Sequence, residues 1–156
     1  MTAADVTRLL DDAGAEYELL HHAHTERAVA EAEALGLEPA DVAKTLIART
    51  PGGMLRALVP ASERIDMRKL REAVGGAKDE VQLASEEDMA RDYPEFPLGA
   101  VPPVGGARND PVIVDRKLVE REWLVFEAGS HDDSIRVRTD DFLRITDART
   151  AELCED

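Results

Sequence analysis

Aromatic residues, cysteine and long apolar runs are all scarce in this sequence of 156 residues. Aromatic side chains make up 4% and apolar side chains 44% of it, so a one-domain core must be built mainly from Val, Leu, Ile and Ala. The single cysteine, Cys154, can form no internal disulfide, and we expect it on a fraying chain end that suits no catalytic nucleophile. The short apolar stretches and the lack of a signal pattern predict a soluble cytoplasmic protein that contacts no membrane.

Most standard catalytic signatures are also absent. The sequence contains no phosphate-binding loop ending in Gly-Lys-Ser/Thr, no dinucleotide-binding glycine fingerprint and no Gly-x-Ser-x-Gly elbow. These absences argue against nucleotide hydrolysis and serine-hydrolase chemistry, because both need those residues to hold phosphate or to activate a nucleophile. We therefore expect no cofactor.

Positive charge is in short supply. The chain has 19 basic against 33 acidic residues and a formal net charge of −14. Only four of the basic residues are lysines: Lys44, Lys69, Lys78 and Lys117. Such a surface repels nucleic acid at long range, so DNA is not an expected partner and any RNA contact must be local.

The order of the predicted elements indicates a single α+β domain over residues 1–156. Apolar periodicity and capping residues predict helices that begin near Thr2, Thr25, Pro39, Asp66, Ser85 and Thr139. Strands are predicted over residues 17–21, 45–49, 54–59, 81–83, 112–114, 123–127 and 134–138. Because a hairpin signal at residues 50–53 joins two strands directly, we expect a mixed, mostly antiparallel sheet flanked by helices.

A histidine cluster, His21, His22 and His24, is the only candidate metal site. Successive strand residues point to opposite faces, so His22 and His24 could share a face that His21 could not. Two imidazoles without a cysteine or a well-spaced carboxylate are a weak zinc site, and we predict no metal. The alternatives for His24 are a turn-ordering residue or part of a pocket rim.

Three further segments could carry chemistry. Lys44 stands where a short helix meets an apolar strand, and an inward lysine there would need an anion as partner; an exposed strand end is the alternative. The glycine- and proline-rich loop at residues 98–106 could offer free backbone N–H groups to an oxyanion. The turn at residues 129–133 is either a polar hairpin turn or part of a pocket.

A basic patch is formed by Arg64, Arg68 and Arg71, with Lys69 close by. Arg68 and Arg71 share one helix face, and Arg64 precedes the helix cap. The patch could contact phosphates, or it could be a solvated face whose arginines pair with neighbouring acids.

Taken in order, the motifs resemble the YbaK/prolyl-tRNA-synthetase-associated editing domain family from about residue 5 to residue 147. The resemblance rests on residues 21–25, 42–47, 59–66, 80–90, 99–105, 126–130 and 139–143. It implies a mixed, partly barrel-like sheet with flanking helices, and an enzyme that hydrolyses the ester of mischarged aminoacyl-tRNA. A second hydrolytic step is needed in translation because an apolar pocket discriminates one methylene by only ~1–3 kcal/mol.

The resemblance also implies site residues and partners. Lys44 would hold the terminal phosphate or the ester, and backbone donors near Gly105 would polarise the carbonyl. The remaining expected substrate-binding residues are His24, Thr25, Thr45, Gly99, Pro103, Val104, Gly129 and His131, and the expected tRNA contacts are Arg64, Arg68 and Arg71. The partner would be the acceptor end of mischarged tRNA, and an aminoacyl-tRNA synthetase stays open as a second partner.

Three rival interpretations stay open at this point. A non-catalytic module could retain the fold and capture an aminoacyl end or an amino acid. A metal-dependent hydrolase could use the early histidines, although the ligand set is sparse. A regulatory protein could use the acidic surface to bind another protein.

Overall fold

The computed structural model describes the backbone of residues 3–156 and the side chains from residue 5 onward. Its strands form two open sheets. In chain order the strands are β1 (Tyr17–His21), β2 (Ala43–Thr50), β3 (Gly53–Pro60), β4 (Gln82–Leu83), β5 (Val112–Asp115), β6 (Trp123–Glu127), β7 (Asp133–Arg138) and β8 (Arg149–Ala151). The helices are α1 (Ala3–Asp12), α2 (Ala28–Leu35), α3 (Met67–Val74), α4 (Glu86–Asp92), α5 (Arg116–Val119) and α6 (Thr139–Thr146), and a 3-10 turn spans Pro39–Asp41.

The two sheets differ in strand direction. The smaller sheet has the order β1-β7-β6 and is antiparallel throughout, with Ile135 opposite both Leu19 and Phe126. The larger sheet has the order β4-β2-β3-β5-β8. Its β4-β2-β3 part is antiparallel and its β3-β5-β8 part is parallel. The α+β class with a mixed, mostly antiparallel arrangement is confirmed, and the sheets do not close into a barrel.

An isolated parallel bridge between Val42 and Val125 links the two sheets at the start of β2. The core on one side of this junction contains Leu58, Leu124 and Phe126 together with Phe142 of α6. Aliphatic side chains dominate it, as the shortage of aromatic residues predicts. No helix among residues 3–156 is both long and apolar enough to span a membrane.

Local capping signals explain several helix starts. Asp66 accepts hydrogen bonds from the backbone N–H groups of Arg68 and Lys69, which fixes the start of α3. Ser85 and Asp88 form the predicted capping box of α4. Pro39 begins the 3-10 turn.

Two predicted caps are wrong, and a third lies outside the described residues. Helix α2 begins after Arg27 rather than after Thr25, and the Arg27 side chain makes no capping hydrogen bond in the described part of the chain. Thr139 lies inside α6, and its hydroxyl is buried without a hydrogen bond to any described residue. Both threonines were expected to cap because they precede apolar periodic segments, but a cap also needs its side chain to reach a free N–H group. Thr2 is not among the described residues.

Two short elements, α5 and β8, and the position of Cys154 differ most from the sequence-based expectation. Helix α5 and strand β8 were not predicted, because segments of four and three residues carry almost no periodic signal. Cys154 does not fray: it is buried, packs in a core cluster with Leu70 and Ile113, and pairs with Ile65 in an antiparallel bridge. Burial raises the pKa of its thiol to about 12, so it stays a protonated, unreactive thiol at neutral pH.

Candidate active site

A cavity of about 360 Å³ opens between α2, the first residues of β2, the glycine-proline loop and the end of β6. Its volume lies within the ~300–1,000 Å³ that is typical of small-molecule sites. We call it the Lys44 cavity. Its lining includes Val29, Glu31, Lys44, Thr45, Gly99, Val101 and Glu127.

Lys44 is a half-buried cation without a partner. It is the second residue of β2, two residues after Val42 of the bridge that joins the two sheets, and it lies opposite Val59 of β3. No hydrogen bond or ion pair reaches its ammonium within residues 3–156. Desolvation lowers its pKa, with a further lowering from the nearby Arg64 and opposing contributions from Cys154 and Glu63. An unpaired, partly desolvated cation is a strong site for an anion.

Gly99 brings backbone to the cavity. Its φ of +81° suits glycine, and no residue with a side chain adopts it without strain. His131 holds this part of the loop, since its Nε2 donates to the carbonyl oxygen of Leu98 at 3.0 Å. No backbone hydrogen bond of the Gly99 N–H occurs among the residues that the structure describes. Gly99 therefore presents a backbone N–H without a backbone partner, among the described residues, in the cavity that Lys44 also lines.

Two acids with little exposure also line the Lys44 cavity. Glu31 of α2 is 1% exposed, and Glu127 ends β6. Burial raises the pKa of Glu31 to about 7, and burial together with the charge of Glu31 raises the pKa of Glu127 to about 8. Each has a buried carboxyl oxygen without a hydrogen bond among residues 3–156.

Among the described residues, the other residues predicted for this region are not part of the cavity lining, with Thr45 as the exception. Thr25 donates its backbone N–H to the His131 carbonyl at 3.0 Å, and its hydroxyl is buried without a partner. His24 is exposed, lies 3.1 Å from Asp132, and contacts the His131 ring edge-on with centroids 5.2 Å apart. Gly129 turns the chain beside Phe96 with a φ of +91°.

The second half of the glycine-proline loop belongs to a different cavity. Pro103, Val104 and Gly105 line a space of about 840 Å³ between α1 and the end of α6. The structure therefore brings Lys44, Thr45 and Gly99 together but does not place Gly105 with them.

A buried ion pair holds that second half of the loop. Arg56 of β3 is 1% exposed and donates to Asp110 and to the carbonyl oxygens of Pro102 and Arg108. Asp110 also accepts from the Tyr93 hydroxyl and from Arg108. All of these groups are paired, which is the pattern of a structural clamp.

The three arginines of the predicted basic patch differ in their surroundings. Arg68 pairs with Glu72 one turn away, at 3.0 Å. Arg64 is exposed, has no acidic partner within residues 3–156, and lies close enough to Lys44 to lower the pKa of that lysine. Arg71 lines a shallow depression beside Lys78. Of these three arginines only Arg64 adds positive charge near the Lys44 cavity, which Arg27 of the chain also lines.

The histidine cluster is divided among separate partners. His21 pairs with Asp133, and His22 Nε2 lies 2.9 Å from the Ser134 hydroxyl. Within residues 3–156 no group of three or more His, Cys, Asp and Glu side chains is arranged to hold a metal ion.

Sequence reasoning missed Glu31 and Glu127. Glu31 is one of several glutamates in and around an alanine-rich helix, and its inward position depends on the helix phase. Glu127 follows the buried strand residues 124–126. A carboxylate at the end of such an apolar run could have been predicted from the sequence as a candidate site residue.

Known proteins resemble this sequence along most of its length. Residues 22–145 match the family described as aminoacyl-tRNA editing domain. The Multifunctional Ser/Thr-tRNA deacylase ProXp-y of Escherichia coli K12 is 27% identical over 142 residues, which cover 88% of this chain and 83% of that protein. The proline–tRNA ligase of Maridesulfovibrio salexigens is 33% identical over 107 residues, which cover 68% of this chain and 17% of the ligase.

A solved structure gives the same result for the fold. The crystal structure of a proposed trans-editing enzyme for prolyl-tRNA synthetase superposes with a TM-score of 0.85 at 26% identity, covering 99% of this chain and 97% of that one. Because the family match spans more than half of the sequence and the fold agrees over nearly all of it, the chain belongs to the aminoacyl-tRNA editing domain family.

Proposed function

We propose that this chain is an aminoacyl-tRNA deacylase that hydrolyses the ester of mischarged tRNA in the Lys44 cavity. The observation that carries the proposal is Lys44 itself, an unpaired and partly desolvated ammonium beside a free backbone donor. The family match and the deacylase named among the relatives support this reaction class. We place the activity in the cytoplasm, where aminoacyl-tRNA is made and used, and we take residues 1–156 as one editing domain.

The chemistry needs no protein nucleophile. Lys44 holds the phosphate of the terminal nucleotide or the ester end of the substrate, and the Gly99 N–H donates to the ester carbonyl oxygen. Water adds to the carbonyl carbon, the bond from that carbon to the ribose oxygen breaks, and the ribose hydroxyl leaves with a proton. We assign the backbone donor to Gly99 in preference to Gly105, because only Gly99 lines the cavity of Lys44.

Local charge explains how an acidic protein can take an RNA substrate. The net charge of −14 opposes long-range attraction of tRNA. At the cavity, however, Lys44 and Arg64 are two adjacent cations without acidic partners among the described residues. Contact limited to the single-stranded acceptor end needs only a few phosphates. A synthetase remains a proposed second partner that would present the rest of the tRNA.

A panel of aminoacyl-tRNAs tests the proposal. tRNAs charged with radiolabelled alanine, serine, threonine, cysteine and proline are incubated with the purified protein, with and without EDTA. We expect free amino acid to be released from at least one of them well above the buffer rate, equally with EDTA. Release from none, with binding of the acceptor end retained, would instead identify a binding module. Loss of activity in EDTA and recovery with zinc would favour a metallohydrolase.

A further inference from the structure

Two carboxyl groups in the lining of the Lys44 cavity have no evident role in stabilising the fold. Glu31 and Glu127 both line the cavity, from α2 and from the end of β6. Neither carboxyl has a lysine or arginine partner among residues 3–156. Other acids with little exposure are satisfied in one of two ways: Asp110 pairs with Arg56 and Arg108, and Asp115 accepts from the backbone N–H groups of Lys117 and Leu153. The two desolvated acids therefore have no ion-paired cation among the described residues, although Lys44 and Arg27 line the same cavity.

The hydrogen bonds of these acids leave one oxygen of each unused. The Ser134 hydroxyl donates to Oε2 of Glu31, and His22 Nε2 lies 2.9 Å from the same hydroxyl. Oε1 of Glu31 is buried and makes no hydrogen bond within the described chain. Oε2 of Glu127 lies 3.4 Å from His131 Nδ1 but lacks hydrogen-bond geometry to it. Ser134 thus orients Glu31, and one buried oxygen of each acid has no hydrogen-bond donor within the described chain.

Leaving such groups unsatisfied is unfavourable. A buried carboxyl without partners resists ionisation, which agrees with the raised pKa values of Glu31 and Glu127. An apolar side chain at either position would avoid this cost, so folding alone does not account for the pair. A ligand that brings several N–H donors and a positive charge would satisfy both oxygens at once.

The substrate contains such a group. Every aminoacyl ester has an ammonium on the carbon next to the reacting carbonyl, with three N–H donors and one positive charge. We propose that Glu31 and Glu127 together bind the α-ammonium group of the aminoacyl ester, with Ser134 as a positioning residue for Glu31. This inference rests on the proposed function, because it needs the ester in the Lys44 cavity.

Binding of the ammonium gives the site a chemical selectivity. N-acylated esters, including peptidyl-tRNA, have no ammonium and would leave both carboxyls unsatisfied. An α-hydroxy ester has the same shape as its amino counterpart but no charge. The proposed substrate class is therefore the free aminoacyl ester, whichever amino acid it contains.

Stable amide analogues test the binding step separately from hydrolysis. The probes are 3′-amino-3′-deoxyadenosine acylated with serine or alanine, each paired with its α-hydroxy counterpart, and calorimetry measures their dissociation constants. We expect the wild type to bind the amine at least about tenfold more tightly than the hydroxy probe at neutral pH. The double variant Glu31→Gln, Glu127→Gln should lower that ratio to about one. Glu33→Gln, an exposed change on the same helix, should leave it unaltered.

Each other outcome has a definite meaning. Equal binding of amine and hydroxy probes by the folded wild type would overturn the inference, even if the protein deacylates tRNA. A preference that survives in the double variant would overturn it as well. Loss confined to the serine probes would mean that the carboxyls bind a side-chain hydroxyl instead. An intact amine preference with no deacylation of any tRNA would contradict the proposed function and leave this inference standing.

Ser134→Ala gives a second route if the double variant does not fold, which thermal melting would show. It removes the hydroxyl that orients Glu31 but keeps both carboxyls. We expect a partial loss of the amine preference, smaller than that of the double variant. An unchanged preference would remove Ser134 from its positioning role.

Discussion

The two halves of one glycine-proline loop lie in contrasting surroundings. Gly99 lines the Lys44 cavity, where Lys44, Glu31 and Glu127 lack full sets of partners among the described residues. Gly105 lines the other cavity, beside a buried network in which Arg56, Asp110 and Tyr93 satisfy one another. Both halves contain glycine, so the presence of glycine does not show which half lines the Lys44 cavity.

The difference lies in how far the buried polar groups are satisfied. Buried polar groups are normally paired, and an unpaired one calls for an explanation. Four of the six unsatisfied buried side-chain atoms in the described chain belong to Thr25, Glu31, Glu127 and His131, in or around the Lys44 cavity. The Arg56 network stabilises the loop, and the Lys44 cavity retains polar groups for a ligand.

The largest expected effect on stability is at Arg56. Arg56→Met removes one member of a buried, hydrogen-bonded ion pair, so the free energy of unfolding should fall by ~3–5 kcal/mol. Arg49→Met, which removes a half-exposed pair with Asp88, should cost under about 1 kcal/mol. Urea denaturation measures both. Equal losses in the two variants would contradict the clamp.

Gly99→Ala separates backbone strain from site geometry. The φ of +81° strains any side chain, and a shifted N–H would misalign the ester carbonyl, so deacylation should fall by about 10- to 100-fold. Gly75→Ala is the matched control, with a φ of +79° at the end of α3 and open space around its Cβ position. We expect similar stability losses in both and an activity loss in Gly99→Ala only. If Gly75→Ala lost as much deacylation activity as Gly99→Ala, backbone strain alone would explain the loss, and the Gly99 N–H would have no special role.

The buried acids should make stability depend on pH. Glu127 has a folded pKa of about 8 against an ordinary value of 4.5, so the unfolded chain ionises first and wild-type stability falls as pH rises between these values. Glu127→Gln should therefore gain at least about 1 kcal/mol relative to wild type between pH 5 and pH 8. Glu31, Arg27 and Lys44 line the same cavity, and the charge of Glu31 helps to raise the pKa of Glu127, so the measured gain includes the loss of that coupling. A pH-independent difference, measured by urea denaturation, would contradict the burial argument.

The smallest expected effect is at Arg64. Arg64→Gln should raise KM a few-fold with little change in kcat, because a phosphate contact contributes equally to ground-state and transition-state binding. The slope of log binding constant against log salt should fall by about 0.7, the value for one single-strand phosphate. Arg68→Gln is the control, since Arg68 pairs with Glu72. Equal KM values for the two variants would show that Arg64 is a solvated surface residue that does not contact the substrate.

Sequence predicted the fold well where the local signal was strong. The cap at Asp66, the capping box of Ser85 and Asp88, and the β2–β3 hairpin all follow from side-chain chemistry within four residues. The short elements α5 and β8 depend on tertiary pairing, so no local pattern could predict them.

For the site, sequence indicated Lys44, Thr45 and Gly99 but not how the loop divides. Which glycine faces the cavity depends on the path of residues 98–106, and that path is fixed by distant contacts such as His131 to Leu98 and Arg56 to Pro102. Glu31 was equally hidden, because only the packing of α2 separates it from its exposed neighbour Glu33.

The most direct test of the central claim is single-turnover deacylation by Lys44→Met on the aminoacyl-tRNA that the wild type hydrolyses fastest. Methionine keeps much of the apolar stem and removes the charge, so the fold and melting temperature should be retained. Loss of an electrostatic contact in a partly desolvated cavity should lower the rate constant by ~10²–10³-fold. A rate within about twofold of wild type, in a variant with wild-type melting, would remove Lys44 from the reaction and contradict the account.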